Sequence, residues 1–342
     1  MRHGLMTIAA MLTLAAATPA FSAPHSDMPQ FAVTGSIAGP DGFWDLLAVD
    51  SVRHRLFVGH GDRVTSVDLD TGKVNPKLLD GQRVHAAIPL AGNRVLATNG
   101  ATNTATIADA DTGKILATIP TGDNPDNAIT DPATGLVLVM DHSGGDVTFI
   151  DPATMSSPGR LEVGGELEQG AATGTGTVYV NIEDQAKVAV IDAKTRKVTA
   201  YYALPGCEAP SGLAFDPETD LILSACENET AVALHAADGS LAATLKIGKG
   251  PDGAVFDPTR RLFFVPCGRD GVLTVISESE DGALTVAATV PTAIGARTAT
   301  LDPKTGKLYL PTADFDFNNV KPGERPKLVP GSFRILVVDA KS

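Results

Sequence analysis

After the first thirty residues, apolar side chains recur at every second position in short stretches spaced along the whole chain. Val64/Ser66, Ala105/Ile107, Val147/Phe149, Val188/Val190, Ala231/Ala233, Leu273/Val275 and Ile335/Val337 occupy equivalent places, and every member except Ser66 is apolar. A period of two is the signature of a strand with a buried face. Nothing after residue 22 repeats its apolar residues with the period of an amphipathic helix. The 34 glycines and 23 prolines suit many turns between short strands.

The strands come in a longer repeat. Asp68, Asp109, Asp151 and Asp192 follow the apolar pairs at spacings of 41, 42 and 41, and His235, Ser277 and Asp339 continue the ladder at steps of 43, 42 and 62. A second ladder of turn residues runs beside it: Asp50, Pro89, Asp131, Gly174, Asp216, Asp257 and Asp302. Both ladders have seven rungs. A β-patterned repeat of this length predicts four-stranded blades set radially, since neighbouring blades then protect one another's edges. Residues 30–37 read as an outer strand, while the last repeat stops after its third. The expected fold is therefore an all-β, seven-bladed β-propeller closed by pairing the N-terminal strand with the C-terminal blade.

Particular residues carry a family resemblance across Phe31 to Ser342. Ala97-Thr98-Asn99-Gly100, the Asp-x-x-Thr-x-Lys turns at Asp68, Asp109 and Asp192, Asn124-Pro125-Asp126 and Cys207-Glu208-Ala209-Pro210-Ser211-Gly212 are near-matches. The chain resembles the YncE-like, YVTN-repeat seven-bladed propellers of exported bacterial proteins, often placed beside lactonase-like propellers. That resemblance implies the fold and an exported protein. It does not fix a reaction, because propellers host enzymes, ligand binders and scaffolds alike.

Residues 1–22 read as a secretory signal peptide: Arg2 precedes an apolar run from Leu5 to Ala17, and Ala20-Phe21-Ser22 supplies small cleavage-site residues. Residues 23–30 form a short tail, and 31–342 are expected to make one propeller domain with a long loop at 311–332. The apolar run falls short of the ~20 residues that span a bilayer. No integral membrane segment is therefore expected in a mature, periplasmic or secreted protein, taken to act as a monomer. A formal net charge of −13 provides no broad positive field for a phosphate backbone and argues against nucleic acid as a partner. Of three cysteines, Cys207 and Cys226 flank one predicted hairpin and are the expected disulfide, with Cys226 and Cys267 the rival pair.

Chemistry should gather where the loops leading into the innermost strands meet. Counting back five residues from each first-turn marker, with Leu90 in place of Pro89 in the second repeat, gives Asp45, His85, Asp126, Gln169, Ser211, Asp252 and Arg297, all of them polar. Loops between second and third strands add His60, Asn99, His142 and Asn181, and the long loop adds Phe315 and Phe317. These residues are the candidate ligand-binding set. Asp45, Asp126 and Asp252 form a candidate site for Ca²⁺, Mg²⁺ or Zn²⁺. The competing explanation is a wet channel mouth whose carboxylates are satisfied by water and Arg297. Two functions follow: an exported propeller binding a small molecule, a metal ion or another exported protein, or a metal-dependent lactonase-like hydrolase in which His85 or His142 moves protons. Asn99, Asn181 and Glu166 or Glu168 are fragments of the ligand set that the hydrolase resemblance implies.

Overall fold

The repeated aspartates close the hairpins. Asp50 accepts the backbone N–H groups of Val52 and Arg53, Asp131 those of Ala133 and Thr134, and Asp257 those of Thr259 and Arg260. After the third strands, Asp68 holds Asp70 and Thr71 in the same way, and Asp192 holds Lys194 and Thr195. A short carboxylate folded back onto the amides two and three residues ahead sets a tight turn. The two ladders thus mark the first and last turns of each repeat.

A computed structural model describes residue 1, residues 29–318, residue 320 and residues 326–341. The expected leader and most of the tail lie outside the described residues, as does Asn319. The chain divides into Met1–Gln30 and Phe31–Ser342, and all the sheets belong to the second unit. Among the described residues, antiparallel strands form five four-stranded sheets, one seven-stranded sheet and a two-stranded ribbon. No helix among them is long and apolar enough to cross a membrane.

The seven-stranded sheet consists of two units sharing a strand. Val74–Leu90 pairs through residues 74–84 with Gly61–Asp68 and through residues 84–90 with Arg94–Asn99. Another sheet joins distant segments: Phe31–Ala38 runs antiparallel to Arg334–Ala340, Phe31 opposite Ala340, and Leu308–Thr312 and Thr300–Leu301 complete it. The first strands pack in succession. Leu47–Asp50 lies against Val74–Leu90, and Pro125–Thr130, Leu167–Ala172, Pro210–Asp216, Val255–Asp257 and Thr300–Leu301 follow, the last returning to Leu47–Asp50.

Burial goes further than the period of two suggests. Val137–Asp141 and Leu221–Cys226 are buried at every position, because sheets stack face to face and each middle strand is covered on both sides. Small polar residues on the supposed outer face, such as Thr148 and Thr274, are therefore buried too. The core is a series of layers between consecutive sheets: Leu138, Met140 and Phe149 meet Val178 and Val180, and Leu223 and Ala233 meet Phe263 and Val265. Only outer strands such as Leu241–Lys246 alternate between exposed and half-buried.

Pro210 sits opposite Cys226 in its hairpin, which brings Cys207 alongside. Cys207 and Cys226 form a disulfide with Cα atoms 5.5 Å apart, and Cys267 is a free, buried thiol.

Candidate functional site

The lead-in segments of the first strands converge on a cavity of about 280 Å³. Its floor is a chain of charge. His85 Nδ1 lies 2.6 Å from Asp45 Oδ2 and 3.3 Å from Asp126 Oδ2. The other oxygen of Asp45 is 3.2 Å from Arg297 Nη2, and Arg297 Nε is 2.5 Å from Asp252. The Arg297 guanidinium also lies over the Phe43 ring, 5.5 Å from its centroid. On the opposite flank, His142 Nδ1 is 3.1 Å from Glu168 Oε1 and 3.2 Å from the Leu167 carbonyl.

These contacts determine proton positions. A carboxylate only accepts, so His85 carries its proton on Nδ1 and leaves Nε2, which has no partner, as the second ring nitrogen. Burial raises the Asp45 carboxyl, but the His85 hydrogen bond and the Arg297 charge outweigh it and hold the group below its usual range. Its neighbours go the other way. Burial, with the Asp45 charge, pushes Asp126 up to about 6; burial against an incomplete answer from Arg297 takes Asp252 to about 7. Burial takes Glu168 to about 8, and the Glu168 hydrogen bond draws His142 up to about 9. Near neutral pH the cavity stores protons because its carboxylates outnumber its firm cations.

Six of the seven residues expected at the first-strand lead-ins line this cavity: Asp45, His85, Asp126, Gln169, Asp252 and Arg297, together with His142. Gln169 is not free there. Its Oε1 accepts the N–H groups of Leu213 and Ala254, each at 3.0 Å, bracketing three sheets across the centre. Beyond it lies a second cavity of about 400 Å³ with a largely aliphatic wall that includes Ala48, Ile88 and Ile129.

The other candidates are not part of the lining. Ser211 is buried and donates to the Pro251 carbonyl. His60 is fully buried, its ring 4.5 Å from that of Phe333, and burial with the Arg63 charge lowers it to about 4, which makes it a neutral core histidine. Asn99 receives the Gln82 N–H and donates to Thr106, while Asn181 donates to Gly212 O and accepts from Ser224. Phe315 packs 6.1 Å from Trp44, and Phe317 is exposed. The long loop carries a short ribbon, Phe315–Asp316 paired with Lys327–Leu328.

Glu168, Arg83 and Asn124 line the cavity without having been placed there from the alternation of strand positions. The reason is local. Pairing shifts register between Leu167 and Gly170, between Val84 and Ala87, and between Val139 and Asp141, so consecutive residues such as Glu168 and Gln169 both face the cavity. Metal-ligand geometry differs from the expected carboxylate trio as well. Asp45, His85 and Asp126 bring ligand atoms within 4.8 Å of one another, whereas Asp252 is turned to Arg297; His142, Glu168 and Glu183 form a second such group.

No family model and no curated protein matches the chain. Solved structures do. A chain from a crystal structure of the mitotic checkpoint complex superposes with a TM-score of 0.72 at 16% identity, over 88% of this chain and 95% of that one. A chain of the Kuenenia stuttgartiensis hydrazine synthase gives 0.68 at 15% identity, over 86% and 96%. At such identities the likeness is one of architecture alone, and the stacked four-stranded sheets with their successively packed first strands are those of a β-propeller.

Proposed function

We propose that this protein is an exported seven-bladed propeller of the YncE-like kind that binds a small ligand through a protonated nitrogen in the acid-lined cavity. Counting the shared strand twice, the seven-stranded sheet contributes two blades to the five four-stranded ones, and the cyclic packing of first strands supports a closed ring. The disulfide suits an oxidising compartment. One observation carries the ligand reading: Asp126, Glu168 and Asp252 share a cavity in which Arg297 is already committed to Asp45 and Asp252. An ammonium or amidinium group would supply the charge these carboxylates now obtain by holding protons.

Calorimetric titration with small primary amines and guanidines, beside neutral and anionic analogues of equal size, tests this. Cationic members should bind, and Asp126→Asn should weaken them about tenfold. Tighter binding of anionic analogues would overturn the reading. The Asp45, His85 and Asp126 group favours a second reading, hydrolysis of an ester or lactone by a water activated on a divalent cation held there. Lactone hydrolysis abolished by chelation and by His85→Ala would support it; hydrolysis indifferent to chelation would remove it.

A further inference from the structure

The geometry points to a separate divalent-metal site made by His142, Glu168 and Glu183, suited to a borderline cation such as Zn²⁺. It does not depend on the amine-binding reading. The three ligands come from different segments: His142 directly follows Val137–Asp141, Glu168 belongs to Leu167–Ala172, and Glu183 opens the short 3-10 turn Glu183–Gln185. Their ligand atoms lie within 4.8 Å of one another. His142 Nδ1 and Glu168 Oε1 are 3.1 Å apart. Nitrogen and oxygen donors at about 2.0–2.2 Å from a tetrahedral zinc sit roughly 3.3–3.5 Å from each other, so the His142–Glu168 pair needs only a few tenths of an ångström of movement to hold an ion in place of the shared proton, with Glu183 drawn in as the third donor.

The segments are already tied together by main-chain bonds. Leu167 N–H donates to the His142 carbonyl and Glu183 N–H to the Glu166 carbonyl, while Asp184 accepts the Glu166 N–H. Side chains on stitched backbones lose little freedom when a ligand arrives. Charge selects this group over Asp45, His85 and Asp126. Asp45 already has an oxygen on Arg297 and another on His85, so an ion there would meet a guanidinium. Among the described residues, no lysine or arginine pairs with Glu168 or Glu183, and His142 is the one cation in ion-pair contact with Glu168.

Two other lining side chains carry unpartnered polar atoms, and both of these lie against Gly100. His85 is 5% exposed and Asn124 is 8% exposed, yet His85 Nε2 and Asn124 Oδ1 have no hydrogen-bond partner. Asn124 stands next to the site, its carbonyl accepting the His142 N–H. Three protein donors leave at least one position of a four-coordinate ion open to water or a ligand group.

Zn²⁺ alone, titrated calorimetrically into the full-length protein freed of metal, is the test, with Co²⁺ absorption reporting coordination. One equivalent should bind, and Glu183→Gln and His142→Ala should each weaken it at least about tenfold. Metal-free thermal midpoints of both variants would show that they fold. Failure to take up one equivalent would overturn the site, as would uptake lost in His85→Ala but retained in Glu183→Gln, which would put the ion in the other group. Amine binding weakened by Asp126→Asn without zinc uptake would overturn this site and leave the ligand reading intact.

Discussion

Replacing Arg297 with methionine isolates what the guanidinium does. The side chain links Asp45 to Asp252 and covers Phe43. Methionine keeps the apolar stem and removes the charge, leaving two carboxylates of which Asp45 is 7% exposed. Breaking a buried ion pair by removing one partner costs about 3–5 kcal/mol when the remaining charge must stay ionised. That condition depends on pH. Asp252 is already raised to about 7 by burial, and losing Arg297 raises it further and removes one of the two groups that hold Asp45 down. A carboxyl raised on folding binds more protons in the native than in the unfolded state, so stability falls as pH climbs from the unfolded value of about 3.9 through the folded one. The variant should therefore lose about 3–5 kcal/mol at pH 8. At pH 5 Asp252 is protonated and no longer needs the guanidinium, so the loss should be clearly smaller than at pH 8. Urea midpoints at both pH values measure the difference. An equal loss at pH 5 and pH 8 would refute the electrostatic account and leave packing as the cause.

Three further outcomes are expected. His54 joins Asp70 and Asp302 at 2.5 and 3.0 Å, and the Asp70 hydrogen bond in particular raises it above its ordinary value. Its contribution is complete below about pH 6.5 and fades as pH rises through the folded value, so His54→Gln should cost about 1–3 kcal/mol at pH 6 and less at pH 9 by urea melts. Cys207→Ser with Cys226→Ser opens a loop with a sequence separation of 19 and should lower stability by about 3 kcal/mol on the chain-entropy argument, seen as a shifted denaturant midpoint that Cys267→Ser does not reproduce. Gly59→Ala would set a Cβ 2.0 Å from the His85 carbonyl oxygen; displacing that strand should cost about 1–3 kcal/mol and weaken ligand binding together, and normal binding would show that His85 is held from elsewhere.

The architecture was legible because its turns are chemical. Asp131, Asp216, Asp257 and Asp302 each satisfy backbone amides a fixed distance ahead, so a turn residue chosen for a local reason becomes a periodic mark. The alternation of Val147 and Phe149 shows a strand, but it cannot show that Thr148 between them is also buried, since that depends on the neighbouring sheet and on the hydrogen bond from its hydroxyl to Asp141.

The site was legible only where a side chain's direction follows from its register. Asp45, His85, Asp126, Asp252 and Arg297 sit at equivalent places and reach the same cavity because their strands pack in succession. Ser211 shares the register, yet its hydroxyl is too short to reach past the Pro251 carbonyl to which it donates. Asn99 ends its second strand and Asn181 stands one residue before the end of its own, much as His142 follows directly on another, but their amides are taken up by local backbone or hydroxyl groups. Glu168 is the opposite case: strict alternation turns it away from Gln169, and only the register shift between Leu167 and Gly170 allows both to face inward. That shift carries no sequence mark comparable to an Asx turn. It also sets Glu168 beside His142, so an acid that burial raises to about 8 owes its place to an irregularity in strand pairing instead of to the repeat.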